Sequence, residues 1–327
     1  MVEFGSFTDI CKTVSLVPCA ALSNGQSIGL EPECFSRNVE LGGVLVFQSA
    51  ALIMYIVALV MTTIMVYHIK TKYTAVGRKE IVIFFYLYLI LIILEFLLQG
   101  NFIQMSSSAY PWFAAIHTGV LSAMCWCLML NGFVGFQFTE DGTRTSVWLI
   151  RLSSGLVWFI SALVAILTFK GMGGMNPTKP MGLFIIYYIL NGLMLLIYIV
   201  MQIILVVNTL DDRWPLGDIA FGVLFFAIGQ VVQYVFSTTI CESVKHYIDG
   251  LFFGVTLTLL SVMMIYKYWD SITKEDLEFS VGGKLNVWEV KEEDERDELL
   301  KTPFDVNPRY SSISHTPVQS FHGGYDY

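Results

Sequence analysis

Charge is scarce in this chain. Asp, Glu, Lys and Arg make up 14% of its 327 residues, against about a quarter in soluble domains. So few charges cannot cover two water-facing domains, the ordinary expectation for this length. Histidine is scarcer still. His68, His117, His246, His315 and His322 are spread along the sequence, and they cannot meet at one depth as the ligands of a zinc hydrolase inside a helix bundle must. A retinal-type pigment needs a lysine in mid-span, and the lysine nearest the last apolar run, Lys267, stands at its end. Walker A, G-x-S-x-G and H-E-x-x-H patterns are absent. The Gly171-Met172-Gly173-Gly174 stretch lacks the strand-turn-helix context of a phosphate loop. Asn176-Pro177-Thr178 has glycosylation spacing, but the central proline blocks it. The expectation is a protein that is not an enzyme, with no catalytic, cofactor-binding or metal site.

What the chain has instead is apolar length. Hydrophobic residues make up 55% of it, and the mean hydropathy is +0.63. They gather into runs of about 20 residues, the number a helix needs to cross about 30 Å of hydrocarbon. Seven such runs are predicted, at 41–67, 81–98, 112–138, 147–169, 181–207, 219–236 and 247–266. Tyr110, Trp112, Trp148, Trp214, Tyr266 and Trp269 lie at their ends, where an amphipathic ring suits the headgroup level. Water cannot satisfy backbone groups in the bilayer core, so each run must be helical. The predicted fold is all-α and polytopic, with a segment at 1–40, a seven-helix membrane domain at 41–269 and a tail at 270–327.

Loop charge predicts the orientation, because retained Lys and Arg mark the cytosolic side. With the N-terminus outside, the inner loops hold Lys70, Lys72, Arg78, Lys79, Arg144, Arg151, Arg213, Lys267 and Lys274, nine residues. The outer ones hold Lys12, Arg37, Lys170, Lys179 and Lys245, five. Residues 1–40 show no signal-peptide pattern, since the apolar stretch at 14–22 contains Pro18 and lacks a basic leader. The first span is therefore expected to target the chain. Of the net charge of −8, −7 falls after residue 269, where 13 acidic residues face 6 basic ones. An acidic tail without an apolar face is expected to be largely disordered, in the cytosol, and to meet a protein rather than nucleic acid or anionic lipid.

Five sets of residues stand out within this frame. Cys11, Cys19, Cys34 and Cys241 all fall on the predicted outer face, where two disulfides are compatible with an oxidising compartment and three connectivities are open. Cys125 and Cys127 lie inside the third run and read as small packing residues. Glu95 and His117 sit in the outer half of adjacent spans; a charge in the membrane costs several kcal/mol, so a contact between the two is expected, bridging helices. Gly250 and Gly254 form a G-x-x-x-G that permits close helix approach. Asp276-Leu277-Glu278 is a D-x-E arrangement just past the last span, of the kind vesicle coat proteins read as an export signal.

The loops carry a resemblance. Residues 72–78 (KYTAVGR), 140–143 (EDGT), 237–254 (STTICESVKHYIDGLFFG) and 266–279 (YKYWDSITKEDLEF), with the pattern around Cys11, Cys19 and Cys34, are similar in order to the fungal chitin synthase export chaperone family. The similarity covers residues 4–279. It implies a multispanning protein of the endoplasmic reticulum membrane that binds a chitin synthase and promotes its folding and export toward the cell surface. Catalysis would belong to the client. A seven-helix receptor and a small-solute transporter are the rival readings from other classes; the lack of charged side chains in the middle of spans one, five and seven weakens transport of a charged solute.

Overall fold

A computed structural model describes residues 5–23, 29–41, 44–73, 75–136, 142–210 and 213–273. Seven helices in it are long and apolar enough to cross a membrane: Ser49–Thr71, Arg78–Gln99, Tyr110–Val134, Arg144–Lys170, Met181–Thr209, Trp214–Tyr234 and Gly250–Thr273, here spans one to seven. Asp276 and Glu278, like nearly all of the acidic tail, lie outside the described residues.

The helix ends follow local chemistry. Span two starts after Gly77, whose φ of 65° suits a residue without Cβ. Spans three and six open with Pro111 and Pro215, where a missing N–H costs nothing. The Thr143 side chain caps span four by accepting the Ser146 N–H, and Gly171 closes it in the left-handed conformation. Span seven is capped by Asp249, whose Oδ1 accepts the Phe252 N–H at 3.2 Å.

The largest departure from the sequence reading is at the start of span one. Span one begins at Ser49, not at residue 41. Val39–Leu41 and Val44–Val46 instead pair as an antiparallel hairpin, Val39 opposite Val46 and Glu40 opposite Leu45. The β-branched residues around Gly42-Gly43 in the sequence are as apolar as a span but carry hairpin propensity. Span seven also starts three residues later than expected and runs on to Thr273.

Span three is the hub. It packs on spans two, four and five, and 67% of its apolar window is buried. Small residues bring it close to span four: a Cβ on Gly119 would meet the Trp158 carbonyl at 2.7 Å. In lipid, such close approach replaces hydrophobic burial as the source of helix association. Spans six and seven meet the same way, with Gly229 against Leu257 and Gly254 against Gln233. The outward face is apolar, as Leu149, Leu152, Leu156 and Phe159 on span four show, matching acyl chains. Spans five and six touch one another much less than spans three and four do.

Candidate functional site

Two ends of the bundle and one internal cavity hold the polar chemistry. At one end, residues N-terminal to span one fold back over the helices. Cys11 and Cys19 are disulfide-bonded across eight residues of sequence and tie the short helix Thr8–Thr13 to the 3-10 turn Val17–Ala21. Phe7 inserts among Phe184, Tyr187 and Tyr188 of span five, its ring centre 5.9 Å from that of Phe184. The Tyr110 hydroxyl donates to the Val17 carbonyl at 3.0 Å, and the Gln99 side chain to the Ser15 carbonyl at 2.9 Å.

A second disulfide joins Cys34 to Cys241, 207 residues later and just after span six. His246 Nδ1 lies 3.2 Å from the Cys34 sulfur and 3.6 Å from that of Cys241. The three could hold a metal by distance alone, but with both sulfurs in one covalent bond only the imidazole remains a good ligand. The Arg37 N–H donates to the His246 carbonyl at 2.8 Å, and the Arg37 guanidinium stacks over Tyr247 at 4.5 Å. Nearby, burial pushes the Asp249 carboxyl pKa up, while backbone donors of Phe252 and Ser36 pull it back.

The opposite end is held by groups the sequence reading missed. Glu80, fully buried in the first turn of span two, accepts the Gly142 N–H at 2.8 Å and the Ser146 hydroxyl at 3.1 Å with the same oxygen. Lys79 donates to the Gly142 carbonyl at 2.7 Å. Gly142 has φ of 68°, so the EDGT stretch supplies a left-handed glycine and the cap of span four. The 72–78 loop is bound to the end of span seven, where Lys72 pairs with Asp270 and the Trp269 indole donates to the Val76 carbonyl at 3.1 Å. Lys267 pairs with Asp218 of span six at 3.1 Å. The signal for these ties was in the motifs themselves: the stretches that resemble a family are those that clasp one loop to another.

Within the bundle, His117 Nε2 stands 3.2 Å from Glu95 Oε1. His117 is 1% exposed and the Glu95 side chain 27%. Both line a cavity of about 560 Å³ bounded by spans one, two, three, five, six and seven, with Leu16 and Val17 of the folded-back segment at one end. Cys125 lines it as well, while Cys127 bonds locally to Asn131.

The chitin synthase export chaperone family model matches residues 3–283. This chain belongs to the chitin synthase export chaperone family. It is 54% identical to a chitin synthase export chaperone of Neurospora crassa over 296 residues, covering 89% of this chain and 83% of that protein. It is 51% identical to one of Coccidioides immitis over 327 residues, covering 99% of each. For one of Aspergillus fumigatus the figures are 49% over 332 residues, again 99% of each. No solved structure matches. Membership in the export chaperone family spans all seven helices and both clasped ends, so the disulfide-tied face and the Glu80 network belong to the matched region.

Proposed function

We propose that this chain binds a chitin synthase in the endoplasmic reticulum membrane, assists the packing of its spans, and licenses its export toward the plasma membrane. The observation that carries this reading is the near full-length match to relatives named for that role. The fold fits an interaction protein: loops between spans are short, and no sugar-nucleotide domain has room among the described residues. In this reading catalysis belongs to the client. The long apolar faces of spans four, five and six are the surfaces available to client helices, which associate in lipid through packing and interhelical hydrogen bonds.

The loop charges support an orientation with the disulfide end in the lumen and the tail in the cytosol. Protease treatment of sealed microsomes checks it, since digestion should remove an epitope placed at Tyr327 and spare one at Met1. Asp276 and Glu278, on the cytosolic side in this reading, are the residues offered to vesicle coat proteins. Unchanged exit of a D276A/E278A variant from the reticulum would dispose of that role.

Deleting the gene should leave a chitin synthase in the endoplasmic reticulum and lower cell-wall chitin, and the purified protein should incorporate no labelled sugar. Normal surface delivery of every chitin synthase in the deletion strain would overturn the chaperone reading. Sugar polymerisation by the protein alone would overturn the assignment of catalysis to the client.

A further inference from the structure

The cavity inside the bundle has a use that export of a client does not require. Its volume of about 560 Å³ falls within the range of small-molecule sites, about 300–1,000 Å³. One cluster of its polar groups stands toward the disulfide side. Tyr55 of span one, Glu95 of span two, His117 of span three and Tyr187 of span five all line it. Each lies four to seven residues from its helix's end on the disulfide side, hence ~6–10 Å deep at about 1.5 Å rise per residue. Tyr55 is 2% exposed, and His117 Nδ1 and the Asn191 side-chain oxygen, both buried on the cavity wall, have no hydrogen-bond partner among the described residues. Buried polar groups ordinarily find one. Beyond this cluster the wall is mostly apolar, with Phe84, Leu121, Leu128, Val255 and Val262.

Charge narrows the occupant. No Lys or Arg lines the cavity, whereas Glu95 and Asp218 do, and Asp218 is already paired with Lys267. A phosphate would face a carboxylate with no cation to offset it. A hydroxyl suits the cluster, since it donates to Glu95 and exchanges hydrogen bonds with phenols. Access narrows it further. Leu196 of span five and Val223 of span six line the cavity and are 56% and 37% exposed, so the wall is loosely covered there. Spans five and six also touch sparingly. Leu196 and Val223 stand near mid-span, so an opening between these helices would face the bilayer core rather than water.

We propose that this cavity binds a membrane lipid with a hydroxyl head and no phosphate, the hydroxyl held by Tyr55, Glu95 and His117 and the apolar body lying between spans three, five, six and seven. A sterol and a diacylglycerol share that chemistry. The test uses the full-length protein in mild detergent with three photoreactive, clickable probes: a sterol, a diacylglycerol and a phosphatidylcholine. The sterol or the diacylglycerol should label spans five and six and be displaced by its unlabelled parent; which one does so identifies the source. Phosphatidylcholine should not compete.

Gly192 lines the cavity, and a Cβ there meets nothing within 4 Å, so Gly192→Trp should obstruct it and cut labelling at least fivefold. Tyr55→Phe, which keeps the ring and removes only the hydroxyl, should cut it about threefold and serves if the tryptophan variant does not fold. Folding is scored by the Cys34–Cys241 disulfide and a monodisperse elution profile. Equal labelling by the phosphatidylcholine probe, labelling unchanged in both folded variants, or no labelling by any probe would overturn the proposal. So would a photocrosslinker at position 192 that captures the chitin synthase instead of lipid, which would make the cavity a seat for a client side chain. Normal surface delivery of every chitin synthase in the deletion strain, with lipid labelling of the purified protein intact, would leave this proposal standing and count against the chaperone reading alone.

Discussion

Replacing Cys241 with Ser should lower the steady-state level and thermal stability of the protein far more than replacing both Cys11 and Cys19. The two disulfides enclose very different lengths of chain, 207 and 8 residues. In the loop-closure model the longer cross-link restricts the unfolded chain by about 5 kcal/mol and the shorter by about 2.5 kcal/mol. The first figure is comparable to the whole stability of many domains, roughly 5–15 kcal/mol. The long bridge also fastens residues before span one to the link between spans six and seven, so its loss releases the ends of the bundle from each other. Cys34→Ser should match Cys241→Ser, and the double variant should be no worse, because one bond is removed in all three. Thermal unfolding in detergent reads the difference. Equal melting of the Cys241 variant and the parent would show that the long bridge contributes nothing.

Glu80→Ala should have the next largest effect, at the other end. It leaves the Gly142 N–H and the Ser146 hydroxyl without their acceptor, and an unsatisfied buried donor costs about 1–3 kcal/mol. For two donors a total of about 2–6 kcal/mol is expected, with a matching loss of folded protein. Glu80→Gln keeps the volume and one acceptor oxygen and should recover about half. Ser146→Ala removes one donor together with its need for a partner and should cost the least, about 1 kcal/mol. If the alanine variant melts with the parent, the Glu80 carboxylate is not what holds the 142–146 turn.

The number and order of the helices were legible in the sequence because hydropathy over about 20 residues records a bilayer's thickness, whatever the partners of each helix. The start of span one was not. Residues 41–47 are apolar enough to extend a span, and only strand pairing, a contact with residues 39–41, distinguishes them. Glu95 and His117 drew notice because a polar group in lipid is costly wherever it points. Glu80 did not, since it sits at a helix start where acidic residues are ordinary, and its partners come from a turn 62 and 66 residues away. The cavity was hidden for a related reason. Tyr55, Tyr88, Tyr187 and Tyr198 read as helix-packing aromatics one at a time, and only their arrangement around shared space sets them apart.

Span five carries one irregular turn, Ile185–Leu190, in which the hydrogen bonds skip an extra residue. Such a turn is equivalent to a single residue inserted in an α-helix. Each residue of an α-helix advances about 100° around the axis, so the insertion rotates everything after it by that angle relative to everything before. The consequence is a helix with two separate facing directions. Leu183, Phe184, Tyr187 and Tyr188 address the disulfide-bound segment, among them the contacts with Phe7, while Met194, Tyr198 and Gln202 address span three and the cavity. A variant lacking one residue of that turn would keep its length and hydropathy as a span and still misdirect one of its two halves.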